Sequence, residues 1–294
     1  MVPPTIRPMT NEISPVPTPT VITSLDDARV DIFRDVRDKD LRGRDKIFMA
    51  ESEMVLRRLL RTPERLVAVF LSYDRYERLR AALGVLPMSV PVYVADVELM
   101  TAIAGFHIHR GVLAAGRRLH PAQLRLEPML GHLRNRDRLT IMVAERFTNV
   151  DNMGTLFRNA AAFGVDGVGL DPACCDPLYR KAIRVSMGHV LSVPYGVMSD
   201  WPGDLIRLKE EWGCRVIGAE ITSDSKSLGE LPCCDKMAIV FGSEADGLSD
   251  SALKACDDIY HIPMSAGVPS INVSVASAVF LYERFHGGDS LGAG

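Results

Sequence analysis

Residues 138–171 read RLTIMVAERFTNVDNMGTLFRNAAAFGVDGVGLD, and this stretch decides the architecture of the second half of the chain. The apolar run at 138–146 predicts a buried strand, GTLFRNAAAFG at 154–164 predicts a helix, and VDGVGLD at 165–171 predicts another strand. Short apolar strands joined by helices are typical of a parallel sheet that is covered on both faces. The stretch therefore predicts the beginning of an α/β domain.

The same alternation continues towards the C-terminus. Further strands are predicted at 214–221, 236–243 and 258–264, and further helices at 177–188, 203–213 and 249–257, the last with Ser249 as its N-cap. We therefore expect an α/β domain with a parallel sheet over residues 138–294.

The first half of the chain carries a smaller alternation of the same kind. Strands are predicted at 65–72, 90–96 and 111–118, with helices at 27–39, 75–84 and 97–105 and another helix opened by Glu51. This pattern predicts a small α/β domain over residues 25–120, followed by a linker at 121–137. Residues 1–24 contain six prolines and almost no charge, so we expect a disordered leader there.

The composition indicates a globular protein. With 294 residues, of which 47% are hydrophobic and 24% charged, the chain can bury a sizeable core. Every apolar run falls short of the roughly 20 residues of a membrane span, and the N-terminus lacks a basic segment followed by an apolar block. The six cysteines show no C-x-x-C spacing, so we expect reduced thiols and no metal site. We therefore expect a cytoplasmic protein without a membrane partner.

The net charge of −3 conceals an asymmetry between the two halves. Residues 1–140 hold 22 Lys and Arg against 17 Asp and Glu, a balance of +5, and the remainder holds 12 against 20, a balance of −8. Nearly all the positive charge of the first half is arginine, whose planar fork can bond two phosphate oxygens at once. This excess favours a phosphate-bearing partner such as RNA, although solvated helix faces would give single clusters of the same kind.

Three predicted loops leave the carboxyl ends of strands, where parallel sheets bind their ligands. The first leads to Asn152 and Arg158, the second is GSEADGLS at 242–249, and the third is SAGVPSIN at 265–272. Taken singly, each loop also has a purely structural interpretation. Arg158 can extend its aliphatic stem along the surface, the second loop can be a simple turn, and Asn272 can cap the final helix. None matches the G-x-G-x-x-G or Walker phosphate loops, which disfavours a conventional nucleotide-binding enzyme.

Together and in this order, the three loops closely resemble the SpoU (TrmH) family of RNA ribose 2'-O-methyltransferases. The family's motifs correspond to NMGTLFRNAAAFG at 152–164, VFGSEADGLS at 240–249 and IPMSAGVPSINVSVA at 262–276. RKAIRVSMGHVLSVP at 180–194 also looks like the family's Ser-x-Gly helix ending. The resemblance covers about residues 140–286 and, more loosely, 38–118.

The resemblance implies both a fold and a reaction. It implies a C-terminal domain with a trefoil knot and an N-terminal ribosomal-protein-like domain that binds the RNA substrate. It also implies S-adenosylmethionine as the cofactor, held by the loops at 242–249 and 262–272, and a homodimer packed through the final helix. The reaction is the attack of a ribose 2'-oxygen of rRNA or tRNA on the cofactor's methyl group. No metal is implied, because the sulfonium already makes the methyl a good electrophile.

The resemblance also assigns individual site residues. Arg158 matches the arginine that is proposed to activate the 2'-hydroxyl; because a free arginine stays protonated, it can instead anchor a phosphate and stabilise alkoxide charge. The other predicted catalytic residues are Asn152, Glu244, Ser270 and Asn272, and the predicted cofactor-binding residues are Gly242, Ser243, Gly247, Ile262, Met264, Ile271 and Asn272.

Departures from the family pattern are few. Asn159 stands where a small hydroxyl residue is common, and Pro269 and Ile271 flank Ser270 where a polar residue and leucine are more usual. Three alternatives remain open: a knotted enzyme that methylates a base nitrogen, a non-catalytic RNA-binding or ribosome-assembly factor, and a Rossmann-type oxidoreductase. The pairing of Asn152 with Arg158 favours the ribose-modifying branch over the first of these.

Overall fold

The structure of the protein is a computed structural model that describes residues 17–34, 46–108 and 110–287. The chain divides into two compact units, the first ending at Arg117 and the second beginning at Arg118. Residues 1–16 of the predicted leader and residues 35–39 of the predicted first helix lie outside the described residues.

The first unit is a mixed sheet with helices packed on it. Its described strands are β1 (Thr20–Val21), β2 (Ile47–Glu51), β3 (Leu66–Ser72), β4 (Val92–Ala95) and β5 (Val112–Arg117), and its α-helices are α1 (Glu53–Leu59), α2 (Tyr73–Leu83) and α3 (Val97–Ala104). The strand order is β1-β4-β3-β5-β2; β1, β4 and β3 run parallel, and β5 runs antiparallel to both of its neighbours. The core beneath this sheet includes Phe33 and Phe70, whose ring centroids lie 5.4 Å apart.

The beginning of the first unit differs from the prediction in three places, the first being the helix predicted at 27–39, where Ala28–Phe33 is a short 3-10 helix and Arg34 is extended. Residues 17–24 are part of the unit and not of a leader, because Thr20–Val21 pairs with β4 and Ile22 is only 1% exposed. Ile47–Glu51, which was predicted to lead into a helix at Glu51, is a fully buried strand paired with β5. The helix begins only at Glu53, after a turn at Ser52 with a φ of 96°. The apolar run before Ser52 satisfies its backbone in the sheet, which overrides its helical spacing.

The second unit is a parallel sheet with helices on it. Its described strands are β6 (Leu139–Ala144), β7 (Gly167–Leu170), β8 (Tyr195–Val197), β9 (Arg215–Ala219), β10 (Lys226–Ser227), β11 (Lys236–Phe241) and β12 (Asp258–His261). Its α-helices are α4 (Leu126–Leu130), α5 (Val150–Phe163), α6 (Arg180–Val185), α7 (Gly203–Glu210), α8 (Asp250–Ala255) and α9 (Val273–His286). The order β10-β12-β9-β11-β6-β7-β8 is parallel at every pairing, which confirms the predicted parallel α/β fold. The short strands β8 and β10 were not predicted.

Helix α5 shows how the local sequence sets the limits of an element. It begins four residues before the predicted start, because the Asn149 side chain accepts a hydrogen bond from the Asp151 amide at 2.9 Å and caps the first turn. It ends at Gly164, which adopts the left-handed conformation with a φ of 73°. Between these two ends, α5 passes α6 so closely at Gly154 that a Cβ on this residue would lie 2.7 Å from the Val185 Cβ.

The segment at 121–137, which was predicted as a linker, belongs to the core of the second unit. It forms α4 and a 3-10 turn at Gly131–Leu133, and Leu126, Leu130 and Leu133 are all at most 2% exposed. Their spacing of four and three residues puts them on one apolar face, which packs in the same cluster as Leu139 of β6. The core of the second unit therefore begins before its first strand, because the apolar face of this segment packs into it.

The strand register places four strand ends at one edge of the second sheet. Phe241 at the end of β11 is paired with Ala144 of β6 and Ala219 of β9, and Tyr260 of β12 is also paired with Ala219. The loops that follow these strands therefore leave the sheet side by side. Among the helices of the described ranges, none is both long and apolar enough to cross a membrane.

Candidate active site

A cavity of about 560 Å³ opens at this edge of the second sheet. It is bordered by the loops after β9, β11 and β12 and by the first turns of α9. All seven residues predicted to bind the cofactor line it, namely Gly242, Ser243, Gly247, Ile262, Met264, Ile271 and Asn272, together with Glu244 and Ser270 from the predicted catalytic set. The structure thus brings the second and third motifs together around one space; the role of each residue stays a prediction.

Several lining residues were not predicted. Glu220 and Ile221 follow β9, Tyr260 and His261 end β12, and Phe280 lies on α9. The signal for Glu220 was available, because it is a charged residue at the carboxyl end of the strand predicted at 214–221 and so belongs at the ligand edge. The position of Phe280 depends on how α9 packs, which the sequence alone does not specify.

The loop after β11 is a tight turn that two glycines make possible. The Ser243 amide donates to the Gly247 carbonyl at 3.2 Å, and the Gly247 amide donates to the Ser243 carbonyl at 3.1 Å. A Cβ on Gly242 would overlap the backbone of Gly247, and Gly247 itself has a φ of 65°. These two positions therefore exclude ordinary side chains, and the loop presents its backbone to the cavity.

A hydrogen-bond network joins all three predicted motifs. The Asn272 Nδ2 group donates to Asn152 Oδ1 at 3.1 Å and to Glu244 Oε1 at 2.5 Å, and the Ser274 hydroxyl donates to Asn152 Oδ1 at 3.2 Å. The Asn272 Oδ1 atom accepts from the Ser274 amide at 2.9 Å and caps α9. Asn272 is therefore a helix cap and the centre of the network at the same time.

Two polar groups of the network keep unused bonding capacity. Over the ranges that the structure describes, the Asn152 Nδ2 group and the Glu244 Oε2 atom have no hydrogen-bond partner. Asn152 is buried and Glu244 is exposed, so the network offers one donor from within and one acceptor from the rim. A ligand hydroxyl, which both donates and accepts, can bond to such a pair.

Asn159 fixes the helices that carry the network. Its Nδ2 group donates to the Ser274 carbonyl at 2.7 Å and to the Ser277 hydroxyl at 2.9 Å, and Ser277 is fully buried. The departure from the family pattern at this position therefore produces a direct tie between α5 and α9.

Buried acids hold the loop after β11 from beneath. Glu145 accepts from the Ser249 amide at 2.9 Å and from the Trp201 indole at 3.1 Å. Asp171 accepts from the Arg146 amide at 3.0 Å, and burial raises the pKa of this carboxyl above its usual value. The Arg146 guanidinium in turn donates to the Gly247 carbonyl at 3.2 Å, so the loop is tied to the ends of β6 and β7.

Arg158 does not line the cavity. It lies on the side of α5 that faces α6, because Asp151 and Gly154 share this side of the helix with it. The Asp151 Oδ2 atom is 2.6 Å from the Lys181 Nζ atom of α6, and Gly154 contacts Val185 of the same helix. Its side chain is exposed and, as far as the described residues go, makes no hydrogen bond or ion pair. Within one chain, hydrogen bonds therefore join Asn152, Glu244 and Asn272, and Arg158 takes no part in this network over the described ranges.

Comparisons with known proteins agree with this arrangement. A family model described as the SpoU rRNA Methylase family matches residues 139–282. A protein of Mycobacterium bovis named as an uncharacterized tRNA/rRNA methyltransferase is 37% identical over 276 residues, which cover 92% of each chain. The 23S rRNA (guanosine-2'-O-)-methyltransferase of Acinetobacter baylyi is 29% identical over 223 residues, 75% of this chain and 89% of that one.

Solved structures share the fold. The AdoMet-bound rRNA methyltransferase from Sinorhizobium meliloti superposes with a TM-score of 0.75 at 21% identity, over 93% of this chain and 99% of its own. The SpoU methyltransferase AviRb from Streptomyces viridochromogenes, in complex with AdoMet, superposes with a TM-score of 0.69 at 19% identity, over 90% and 99%.

Fold, motifs and relatives define the class of the protein as the RNA methyltransferases. The chain belongs to the SpoU rRNA methylase family, which confirms the resemblance predicted from the three motifs. The trefoil knot that the family implies stays a prediction for this chain.

Proposed function

We propose that the protein transfers a methyl group from S-adenosylmethionine to a ribose 2'-hydroxyl in structured RNA, either rRNA or tRNA. The observation that carries the proposal is the network in which Asn272 bonds to Glu244, which lines the cavity with it, and also to Asn152 of the first motif. The name of the Acinetobacter baylyi relative supports the 2'-oxygen as the target, and the two AdoMet-bound structures support the cofactor.

The cavity fits the proposed cofactor in size and lining. Its volume of about 560 Å³ lies within the range of small-molecule sites. Apolar side chains that include Phe241, Ile262 and Ile271 suit an adenine ring, and the glycine turn at 242–247 offers backbone groups for polar atoms. When bound, S-adenosylmethionine supplies a methyl group activated by its sulfonium, and the proposal needs no metal ion.

The polar network suits the ribose. A 2'-hydroxyl is a weak nucleophile at neutral pH, so it must be oriented and must lose its proton as it reacts. Within the described ranges the Asn152 Nδ2 donor and the Glu244 Oε2 acceptor have no partner, and in the proposal they bond to this hydroxyl. Ser270 is exposed on the rim of the cavity, where it can contact the same nucleotide.

Arg158 is proposed to bind an RNA phosphate next to the reacting ribose and to stabilise the negative charge that develops on the oxygen. Its guanidinium is exposed and has no partner among the residues that the structure describes, so it is available for this role. Because it does not line the cavity of its own chain, we propose that it serves the cavity of a second copy in a homodimer.

The proposal is tested with labelled S-adenosylmethionine and total rRNA or tRNA. Arg158→Ala is expected to lower methyl transfer by at least about 100-fold, by analogy with the loss of one charge-stabilising donor. RNA binding by this variant should weaken by much less, since a single phosphate contact is lost. Transfer at a near wild-type rate with unchanged RNA binding would refute the catalytic assignment. No label on any RNA would favour a non-catalytic binding factor.

A further inference from the structure

The charge of the cavity lining is one-sided. Three carboxylates line it, from Glu220, Glu244 and Asp246, and no lysine or arginine of the described chain does. We propose that this lining, and Glu220 in particular, makes the site select the cationic cofactor over its neutral product, S-adenosylhomocysteine. The inference rests on the proposed function and adds to it a residue that determines which form of the cofactor is bound.

Glu220 is held in position by two backbone amides. Its Oε2 atom accepts a hydrogen bond from the Leu248 amide at 2.9 Å, and its Oε1 atom accepts from the Ile221 amide at 3.0 Å. No lysine, arginine or histidine of the described residues forms an ion pair with it. Its half-buried carboxylate therefore projects a nearly uncompensated negative charge into the cavity.

The other two carboxylates are less suited to this role. Asp246 is exposed and has the Arg146 guanidinium 3.6 Å away, which offsets part of its charge. Glu244 accepts from Asn272 and belongs to the network proposed to orient the ribose. Glu220 lies outside that network, so its charge is free to act on the cofactor alone.

The size of the cavity makes the effect one of charge and not of a particular contact. A sphere of about 560 Å³ has a radius of about 5 Å, so the centre of the cavity lies closer to a carboxylate on its wall than the screening length of about 8 Å at physiological ionic strength. A cation bound near the middle of this space is therefore attracted by the Glu220 carboxylate with little screening. Added salt weakens this attraction only as far as the two charges are exposed to solvent.

Methyl transfer changes the charge that this carboxylate meets. S-adenosylmethionine carries a sulfonium, an ammonium and a carboxylate, a net charge of about +1. In the reaction the ribose oxygen bonds to the methyl carbon, the carbon–sulfur bond breaks with its electron pair passing to sulfur, and the hydroxyl proton goes to solvent. The thioether product has lost the positive sulfur, so the attraction that favoured the cofactor is lost once transfer is complete.

The test compares three ligands by calorimetry or equilibrium dialysis. These are S-adenosylmethionine, S-adenosylhomocysteine and sinefungin, an unreactive analogue with an ammonium group in place of the sulfonium. The wild-type protein should bind both cationic ligands more tightly than the neutral thioether. Glu220→Gln should weaken the cationic ligands about tenfold, equivalent to about 1.4 kcal/mol, and change the thioether by less than about twofold. Glu210→Gln, on the exposed side of α7, is the matched control and should change none of the three.

The outcomes separate this inference from the proposed function. Equal weakening of all three ligands by Glu220→Gln would mean that Glu220 only holds the Leu248 amide, and the inference would be wrong. Wild-type affinity for the thioether that equals or exceeds that for the cofactor would also overturn it, while leaving the proposed methyl transfer intact. Binding of none of the three would instead count against the proposed function. Should Glu220→Gln disturb folding, Asp246→Asn tests the same claim and should weaken only the cationic ligands, by a smaller factor.

Discussion

Asn272 combines two roles that sequence patterns usually assign separately. Its side-chain oxygen caps α9, and its side-chain nitrogen binds Asn152 and Glu244. The cap alone would explain a polar residue at the start of an apolar helix. The two further hydrogen bonds identify the residue as part of the site, and they are visible only once three separate loops meet.

Asn272→Ser should separate these two roles. Serine caps helices about as well as asparagine, so the free energy of unfolding should change by less than about 0.5 kcal/mol. Serine is too short to reach both Asn152 and Glu244, so methyl transfer should fall by about 100-fold through loss of orientation. Asn149→Ser, the same exchange at the cap of α5, is the control and should leave transfer unchanged. Equal effects of the two variants on transfer would show that the network is only structural.

Gly242→Ala should be costly because a Cβ there overlaps the backbone of Gly247. The turn must open to accommodate it, so we expect a loss of about 1–3 kcal/mol in the free energy of unfolding. Binding of S-adenosylmethionine should weaken as well, because the turn lines the cavity. Gly229→Ala, where the nearest atom to the new Cβ is 4.0 Å away, should be close to neutral in denaturant unfolding.

What the sequence predicts about a single residue depends on how far along the chain its contacts lie. Gly242, Asn152 and Asn272 could be assigned because each stands in a local pattern with a known partner motif. The contacts of Glu220 and Asn159 could not be predicted, because Glu220 accepts from the Leu248 amide, 28 residues away, and Asn159 donates to the Ser274 carbonyl, 115 residues away. No local pattern records contacts of that range.

Among the elements, the pairing of α5 with α9 does most to position the site. Both helices carry residues of the network, and Asn159 joins them through Ser274 and Ser277. A shift of one helix against the other would separate Asn152 from Asn272.

Asn159→Ala should loosen this pairing. Two hydrogen bonds are lost and the buried Ser277 hydroxyl loses a donor, which should cost about 1–3 kcal/mol in the free energy of unfolding. Methyl transfer should also fall. Thr155→Ala on the same helix removes only a bond to the Asp151 carbonyl within the helix and should have little effect on either measurement. Unchanged transfer in a destabilised Asn159→Ala protein would show that the helix pairing does not position the site.

Element prediction succeeded where burial and period agreed. The strands β6 and β11 are fully or almost fully buried apolar runs, and both were predicted within two residues of their ends. The strand β2 was mistaken for the lead into a helix because its apolar residues fit a helical spacing as well. The segment at 121–137 was mistaken for a linker because its three core leucines are diluted by charged and polar residues.

The whole molecule presents an apolar stripe on α9 that its own chain leaves exposed. Val275 is 53% exposed, Tyr282 is 60% exposed, and Val279 lies between them on the same face. A helix that buries one face and exposes apolar side chains on another is typical of an interface. This stripe supports the proposed homodimer.

Tyr282→Glu should disrupt that dimer, because it places a charge in an apolar contact. The protein should elute as a monomer in size-exclusion chromatography with light scattering, and methyl transfer should be lost if Arg158 acts on the partner's cavity. Ile206→Glu, a comparable exposed apolar residue on α7, should leave the mass unchanged. A wild-type protein that is monomeric at working concentration would contradict the dimer outright.

The position of the methyl group in the RNA product distinguishes transfer to a ribose 2'-oxygen from transfer to a base. RNA labelled by the wild-type protein is digested to nucleosides and to alkali-resistant dinucleotides, since a methylated 2'-oxygen can no longer attack the neighbouring phosphate. The label is expected in 2'-O-methyl nucleosides and in alkali-resistant dinucleotides, and Asn272→Ser is expected to remove most of it. Label on a base, released as a methylated base from an alkali-sensitive product, would refute the proposed transfer to the ribose 2'-hydroxyl.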